Sequence, residues 1–270
     1  MKKSLALIAS TLMVGSTFSA NAATPYKSDF EITLGAFYSS SIDTQIKLNG
    51  HGPLSKGHTF DLEDVFGLDE DKMLGFGEVL YRFNERHSVE GSYFNLDREG
   101  DRSAQRDITI GDTTFLINTS LETELDFEVY KLSYIYTFMS TPDYALGAAL
   151  GLHITDIGFN IKGTLNNLTT ESDASELTAP LPVVGLRGDW RISDNWIIDS
   201  SVDYFYLSLD DYEGGLIDLG VAIEYDKFEY VSVGVGWEYY KIDLDVDKER
   251  FDGKLDFEYY GPMVYLKGRF

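Results

Sequence analysis

The segment Gly261-Pro-Met-Val-Tyr-Leu-Lys-Gly-Arg-Phe270 decides the fold of this 270-residue chain. Counted back in twos, one set is Phe270, Gly268, Leu266, Val264 and Pro262, and the other includes Arg269, Lys267 and Tyr265. Side chains of a strand alternate between its faces, so the pattern predicts a strand running to the final residue with an aromatic on its outward side. The same period recurs upstream. In 230–246, Val231, Val233, Val235, Trp237 and Tyr239 alternate with Ser232, Gly234, Gly236 and Glu238. In 146–152 the even positions are apolar and the odd ones are Gly147, Ala149 and Gly151. In 198–206, Ile198, Val202, Tyr204 and Tyr206 face away from Asp199, Ser201 and Asp203. One face suits lipid and the other a narrow polar lumen.

Composition narrows the choice. Past residue 22 no stretch approaches the roughly 18 apolar residues of a spanning helix. A chain that crosses a bilayer with strands must close them, because lipid cannot satisfy an open sheet edge. The 18 Tyr and 17 Phe supply aromatics for the two lipid–water boundaries. There is no cysteine, which excludes disulfides and thiolate metal sites. A net charge of −23 makes nucleic acid an improbable partner. At the other end, Met1-Lys2-Lys3, an apolar run from Leu5 to Val14, and Ala20-Asn21-Ala22 form the three regions of a secretory signal peptide. The expected organisation is a signal peptide over 1–22 and one barrel domain over 23–270.

Segment 261–270 resembles the C-terminal strand of Gram-negative outer-membrane β-barrels. Gly261, Val264, Leu266 and Phe270 match the signal that the outer-membrane insertion machinery reads in that family, although Gly268 stands where the family carries an aromatic. The resemblance implies an all-β, antiparallel transmembrane barrel in the cell outer membrane. It implies outer-membrane lipid, lipopolysaccharide and the insertion machinery as partners, and it implies no activity. The spacing of turns agrees. Asn84-Glu85-Arg86, Ser140-Thr141-Pro142-Asp143, Ser193-Asp194-Asn195 and Asp226-Lys227 read as tight periplasmic turns, and 49–72, 98–120, 162–179 and 247–253 as long outer loops, with a short one near Asp211–Gly215. About ten strands result, or twelve if Ser39–Ser41 is a turn and 106–120 holds a hairpin.

The inward set carries both charge signs: Glu78, Arg82, Glu90, Lys131, Arg187, Asp189, Arg191, Asp199, Asp203, Glu224, Glu238, Lys267 and Arg269. Buried charges must pair or be hydrated, so these residues form either a structural salt-bridge network or the lining of a pore. Towards the long loops the pattern inverts. With parity kept, the outward face of 122–138 changes from Tyr and Phe to Glu128, Asp126, Glu124 and Glu122, while Leu125 and Phe127 point inward. Ile242 and Leu244, Phe257, Ile157 and Phe159, and Phe205 and Leu207 invert on their own strands. A barrel that leaves the bilayer explains this, with an acidic outer wall in water around an apolar interior. The first strand fits only with a bulge near Ser39–Ser41. The apolar interior is either a closed core or a pocket for a small apolar ligand lined by those nine residues. Asp61-Leu-Glu-Asp-Val-Phe-Gly67 reads as a short capped helix whose Leu62, Val65 and Phe66 dock on it as a lid.

No catalytic constellation accompanies this pattern. Of the four histidines, only His153 faces inward near the crossover. Asp156 has the opposite parity, so His153 reads as a structural lumen residue. No cofactor and no metal site is expected; the acidic run 61–71 lacks the spacing of an EF-hand loop. Three functional readings follow: a non-enzymatic, porin-like barrel that binds or passes small, partly apolar molecules; a structural or surface-interaction barrel with a plugged lumen; and a rim hydrolase acting on lipid or protein.

Overall fold

The computed structural model describes residues 28–48, 59–110, 113–166, 168–171, 175–209, 212–248 and 251–270. The expected signal peptide lies outside them. The strands are β1 (Phe30–Ser39), β2 (Ser41–Leu48) and β3 (Thr59–Asp61), followed by helix α1 (Leu62–Phe66). Then come β4 (Lys72–Asn84), β5 (His87–Ser103), β6 (Ile108–Ile110), β7 (Thr113–Phe115), β8 (Ser120–Ser140) and β9 (Tyr144–Leu165). The chain continues with β10 (Leu168–Glu171), β11 (Ser175–Ser193), β12 (Trp196–Leu209), β13 (Tyr212–Tyr225), β14 (Val231–Lys248) and β15 (Phe251–Arg269).

Ten of these close an antiparallel barrel in the order β1, β4, β5, β8, β9, β11, β12, β13, β14, β15. Closure runs from the Glu31–Arg269 pair to the Phe37–Met263 pair, so the first and last barrel strands leave no open edge along that seam. The expected short turns join β4 to β5, β8 to β9, β11 to β12 and β13 to β14. The hairpin expected within 106–120 exists as β6 and β7, but it forms a separate two-stranded sheet, and the barrel stays at ten.

Several stretches expected as loops are strand instead. Residues 98–103 continue β5, 162–165 continue β9, 175–179 open β11, 213–215 belong to β13, 247–248 end β14 and 251–253 open β15. As a result β8 has 21 residues and β9 has 22, roughly twice the 9–11 that cross a bilayer. On β8 the outward side chains are Phe138, Tyr136, Tyr134, Leu132 and Tyr130, then Glu128, Asp126, Glu124 and Glu122. The opposite face buries Leu121, Thr123, Leu125, Phe127 and Val129. The β5–β8 register is unbroken from His87–Tyr136 to Ser103–Ser120, and the β14–β15 register from Val231–Gly268 to Lys248–Phe251. Surroundings, not strand faces, therefore change sides. Outward pairs Tyr93–Tyr130 (centroids 4.8 Å apart) and Trp237–Tyr260 (6.2 Å) mark the outer edge of the lipid belt.

The bulge expected at Ser39–Ser41 is present. β15 pairs with β1 down to Phe37–Met263, and with β2 from Ser41–Tyr260 onward, with one extra residue on the first-strand side. The slip turns Ile42, Thr44 and Ile46 inward, where all three are buried. Gly261 sits opposite this slip. A Cβ there would lie 2.0 Å from the Tyr38 carbonyl oxygen, so the bulge itself requires glycine.

Above the Ser39–Lys72 pair β1 and β4 part, and β2, β3 and α1 fill the gap. The Asp61 side chain accepts from the Asp64 N–H at 2.9 Å. Gly67 (φ 72°) ends the helix in the left-handed region. Leu62 and Phe66 are fully buried and Val65 packs beside them, with the Phe66 ring 6.0 Å from that of Phe159. Beneath the helix the buried Arg98 donates to Glu63 at 2.6 Å and to Thr44 Oγ1 at 2.8 Å. This anchor lay in a stretch expected as loop.

The acidic wall carries like charges face to face: Asp97 opposite Asp126, Glu99 opposite Glu124, and Asp101 opposite Glu122. Such pairs are destabilising. Partial burial, then Asp97, Glu124 and Glu128, push the Asp126 carboxyl above its usual range. The folded state thus holds that proton more tightly than the unfolded one, and ionised Asp126 costs stability until the pH falls through its raised pKa. Asp126→Asn should raise the unfolding temperature at pH 7 by about 1–2 °C and change nothing near pH 3. An equal effect at both pH values would contradict the like-charge account.

Candidate functional site

The inward faces of the ten strands divide the lumen into a polar lower half and an apolar upper half. At the end of the barrel that holds the C-terminus, Arg269, from β15, bonds Glu224 of β13 and Asp226 just beyond it, and lies 3.7 Å from Glu31 of β1. Arg82 meets Glu31 at 2.9 Å, Arg191 meets Asp226 at 3.3 Å, and Lys267 meets Glu224 at 2.8 Å and Asp199 at 3.7 Å. Higher up, Arg187 clamps both oxygens of Asp203 at 2.9 Å and reaches across the lumen to Glu90 at 3.1 Å. Lys131 bonds Asp218 at 2.5 Å and lies 3.5 Å from Glu238. A cavity of about 200 Å³ runs between these layers, with Glu78 and Asp189 also on its wall.

Lys131 marks the top of this half, since its ammonium lies over the Phe94 and Tyr240 rings at 5.3 and 5.6 Å. Above it Tyr240 stacks on Tyr259 at 5.2 Å, and Phe127 on Phe257 at 4.1 Å. Seven of the nine expected pocket residues, namely Leu125, Phe127, Ile157, Phe159, Ile242, Leu244 and Phe257, are buried in this one cluster, and Phe205 packs against it. Leu207 departs from expectation at 38 % exposed, near the rim where β12 ends. None of the nine lines the cavity. The upper lumen is thus packed by its own side chains and by α1.

The thirteen charges expected on the inward face, among them Glu78, Arg82, Arg187, Asp189, Arg191, Asp199, Asp203 and Glu238, do face inward, but their partners come mostly from other strands. Arg187 shares its face of β11 with Asp189 and Arg191, whereas its ion-pair partners are Asp203 on the next strand and Glu90 across the barrel. Sequence reasoning missed Glu31, Asp218 and Asp226. Asp218 shares the parity of Glu224 on β13, which was signal enough. Asp226 was read as a turn residue, yet it is buried as the end of the same face. His153 is fully buried at the base of the plug. Asp156 pairs with Glu128 on the outer face, as parity required, but Asp203 approaches His153 from β12 at 3.5 Å.

No protein-family profile and no curated protein sequence matches the chain. Solved structures do. The outer membrane protease OmpT from Escherichia coli superposes with a TM-score of 0.58 at 12 % identity, over 89 % of this chain and 97 % of that one. The chain has the fold of an outer-membrane β-barrel, closed by ten antiparallel strands. The outer membrane protein OprG from Pseudomonas aeruginosa (TM-score 0.43, 13 % identity, 92 % and 98 % covered) is also similar. So is the translocator domain of the autotransporter NalP from Neisseria meningitidis (0.48, 10 %, 89 % and 87 %). At these identities the likeness concerns the fold alone. A shared fold does not choose an activity.

The charge network makes a direct prediction. Arg187→Met should destabilise the barrel by about 3–5 kcal/mol, because Asp203 and Glu90 would remain buried without their cation. Arg187→Met with Asp203→Asn should recover part of that loss in thermal unfolding. A double variant no more stable than the single one would show that the pair is not the unit holding these strands.

Proposed function

We propose that this barrel acts at the cell surface with its lumen closed, in a structural or surface-interaction role, and does not conduct. The observation that carries the reading is the aromatic plug: the Phe127–Phe257 and Tyr240–Tyr259 stacks fill the lumen above Lys131, and α1 packs over them. The extended acidic wall supports it, since strands that project beyond the lipid present surface to water that a membrane anchor does not need. The lipid belt faces the outer-membrane lipid, and lipopolysaccharide surrounds the wall's base. Assembly by the insertion machinery fits Val264, Leu266 and Phe270, which point outward and are exposed on the last strand.

Binding of a small apolar molecule in the upper lumen finds less support, because the residues expected to line that pocket contact one another. A rim hydrolase finds less still, because His153 lies beneath the plug. In planar bilayers the purified protein should give no stable single-channel steps, and a variant carrying Phe127→Ala and Phe257→Ala should leak more than the parent. Large, long-lived steps from the unaltered protein would overturn the closed-lumen reading.

A further inference from the structure

We propose that the roof of the lumen cavity binds one divalent transition-metal ion through His153, Asp203 and Asp218. The three side chains come from β9, β12 and β13, and one ligand atom of each lies within 4.8 Å of the others. All three are buried. An ion bound to an imidazole and two carboxylates draws donors about 3 Å apart, so small rotamer shifts suffice to bring these atoms onto one centre.

Two further observations point to a ligand. The first is the histidine itself. His153 is 0 % exposed, and its Nε2, the ring atom that faces Asp203 Oδ2 at 3.5 Å, makes no hydrogen bond. A buried polar atom left so carries a desolvation cost that a bound cation would remove. Thr155, two residues further along the same face, and Tyr240, which pairs with Asp218, also carry buried hydroxyls in this layer.

The second observation is charge. Among the described residues Arg187 meets Asp203 and Glu90, and Lys131 meets Asp218 and Glu238, so four carboxyls face two basic side chains in this layer. A cation at its centre would add to the basic side of that balance. Arg187 and Lys131 do not block the site. A carboxylate offers about four lone-pair positions, so Asp203 and Asp218 can accept from these cations and still ligate. The cations then act as outer partners that orient the ligands. Entry is available because Asp203 and Asp218 line the polar cavity below. Imidazole with carboxylate suits zinc, nickel, cobalt or manganese rather than calcium. No sequence spacing announces the site, since its ligands sit on three separated strands.

The test uses tag-free, folded full-length protein in detergent with nickel chloride alone. Titration calorimetry should give one ion per chain and a higher unfolding temperature. His153→Gln should weaken binding at least tenfold. A chain carrying His51→Gln, His58→Gln and His87→Gln keeps His153 as its one histidine and should bind as the parent does. Loss of binding in that triple variant, retention in His153→Gln, or no stoichiometric binding by the unaltered protein would each overturn the proposal. If His153→Gln does not fold, Asp218→Asn in the triple-variant background makes the same test, and unchanged nickel affinity there would equally overturn it.

Discussion

A β-strand that keeps its register cannot turn its side chains over. This constraint organises the whole molecule. In the bilayer one face of each strand must be apolar for lipid, and the other lines a lumen that holds charges. Once a strand leaves the bilayer, its outer face meets water and its inner face meets nothing but the barrel. The unbroken pairing of β5 with β8 and of β14 with β15 means that each strand answers by changing residue type, not geometry. The outer face becomes acidic where the inner face becomes aromatic and aliphatic, and the barrel acquires a second core above the membrane.

That second core closes the lumen. A barrel of this size has an interior that side chains nearly fill, and here two kinds of filling meet at Lys131. Below it, Arg, Lys, Asp and Glu pair across the lumen around a cavity. Above it, stacked rings exclude water. At the bulge at Ser39–Ser41 geometry changes instead of composition, and it does so where β1 and β4 separate. It turns Ile42 and Ile46 inward and leaves room for α1, whose Leu62 and Phe66 complete the core and whose Glu63 is held by the buried Arg98.

Much of this was legible in the sequence because alternation is local. The strand ending at Phe270, the inversion along 122–138, the caps of α1 and the bulge in the first strand all follow from residues within a few positions of one another. The strand extensions over 98–103, 162–165 and 175–179 were harder. An acidic outer face over a mixed inner face has the composition of a loop, although its period is still two. What parity cannot supply is partnership. Arg187 and Glu90 lie 97 positions apart, and only barrel closure and strand stagger bring them together. The cluster of His153 with Asp203 and Asp218 was hidden for the same reason. Asp218 was within reach of parity, whereas Asp226 was lost because turn composition outweighed it.

The central claim is that parity persists while the environments on the two sides exchange. Single cysteines along β8 test it most directly, labelled on intact cells with a membrane-impermeant maleimide. The account predicts strong labelling at 124, 126 and 128, protection at 125, 127 and 129, and protection again at 132, where the side chain meets lipid. Even labelling across 124–129 would mean that this stretch is not a barrel wall, and the second core would not exist.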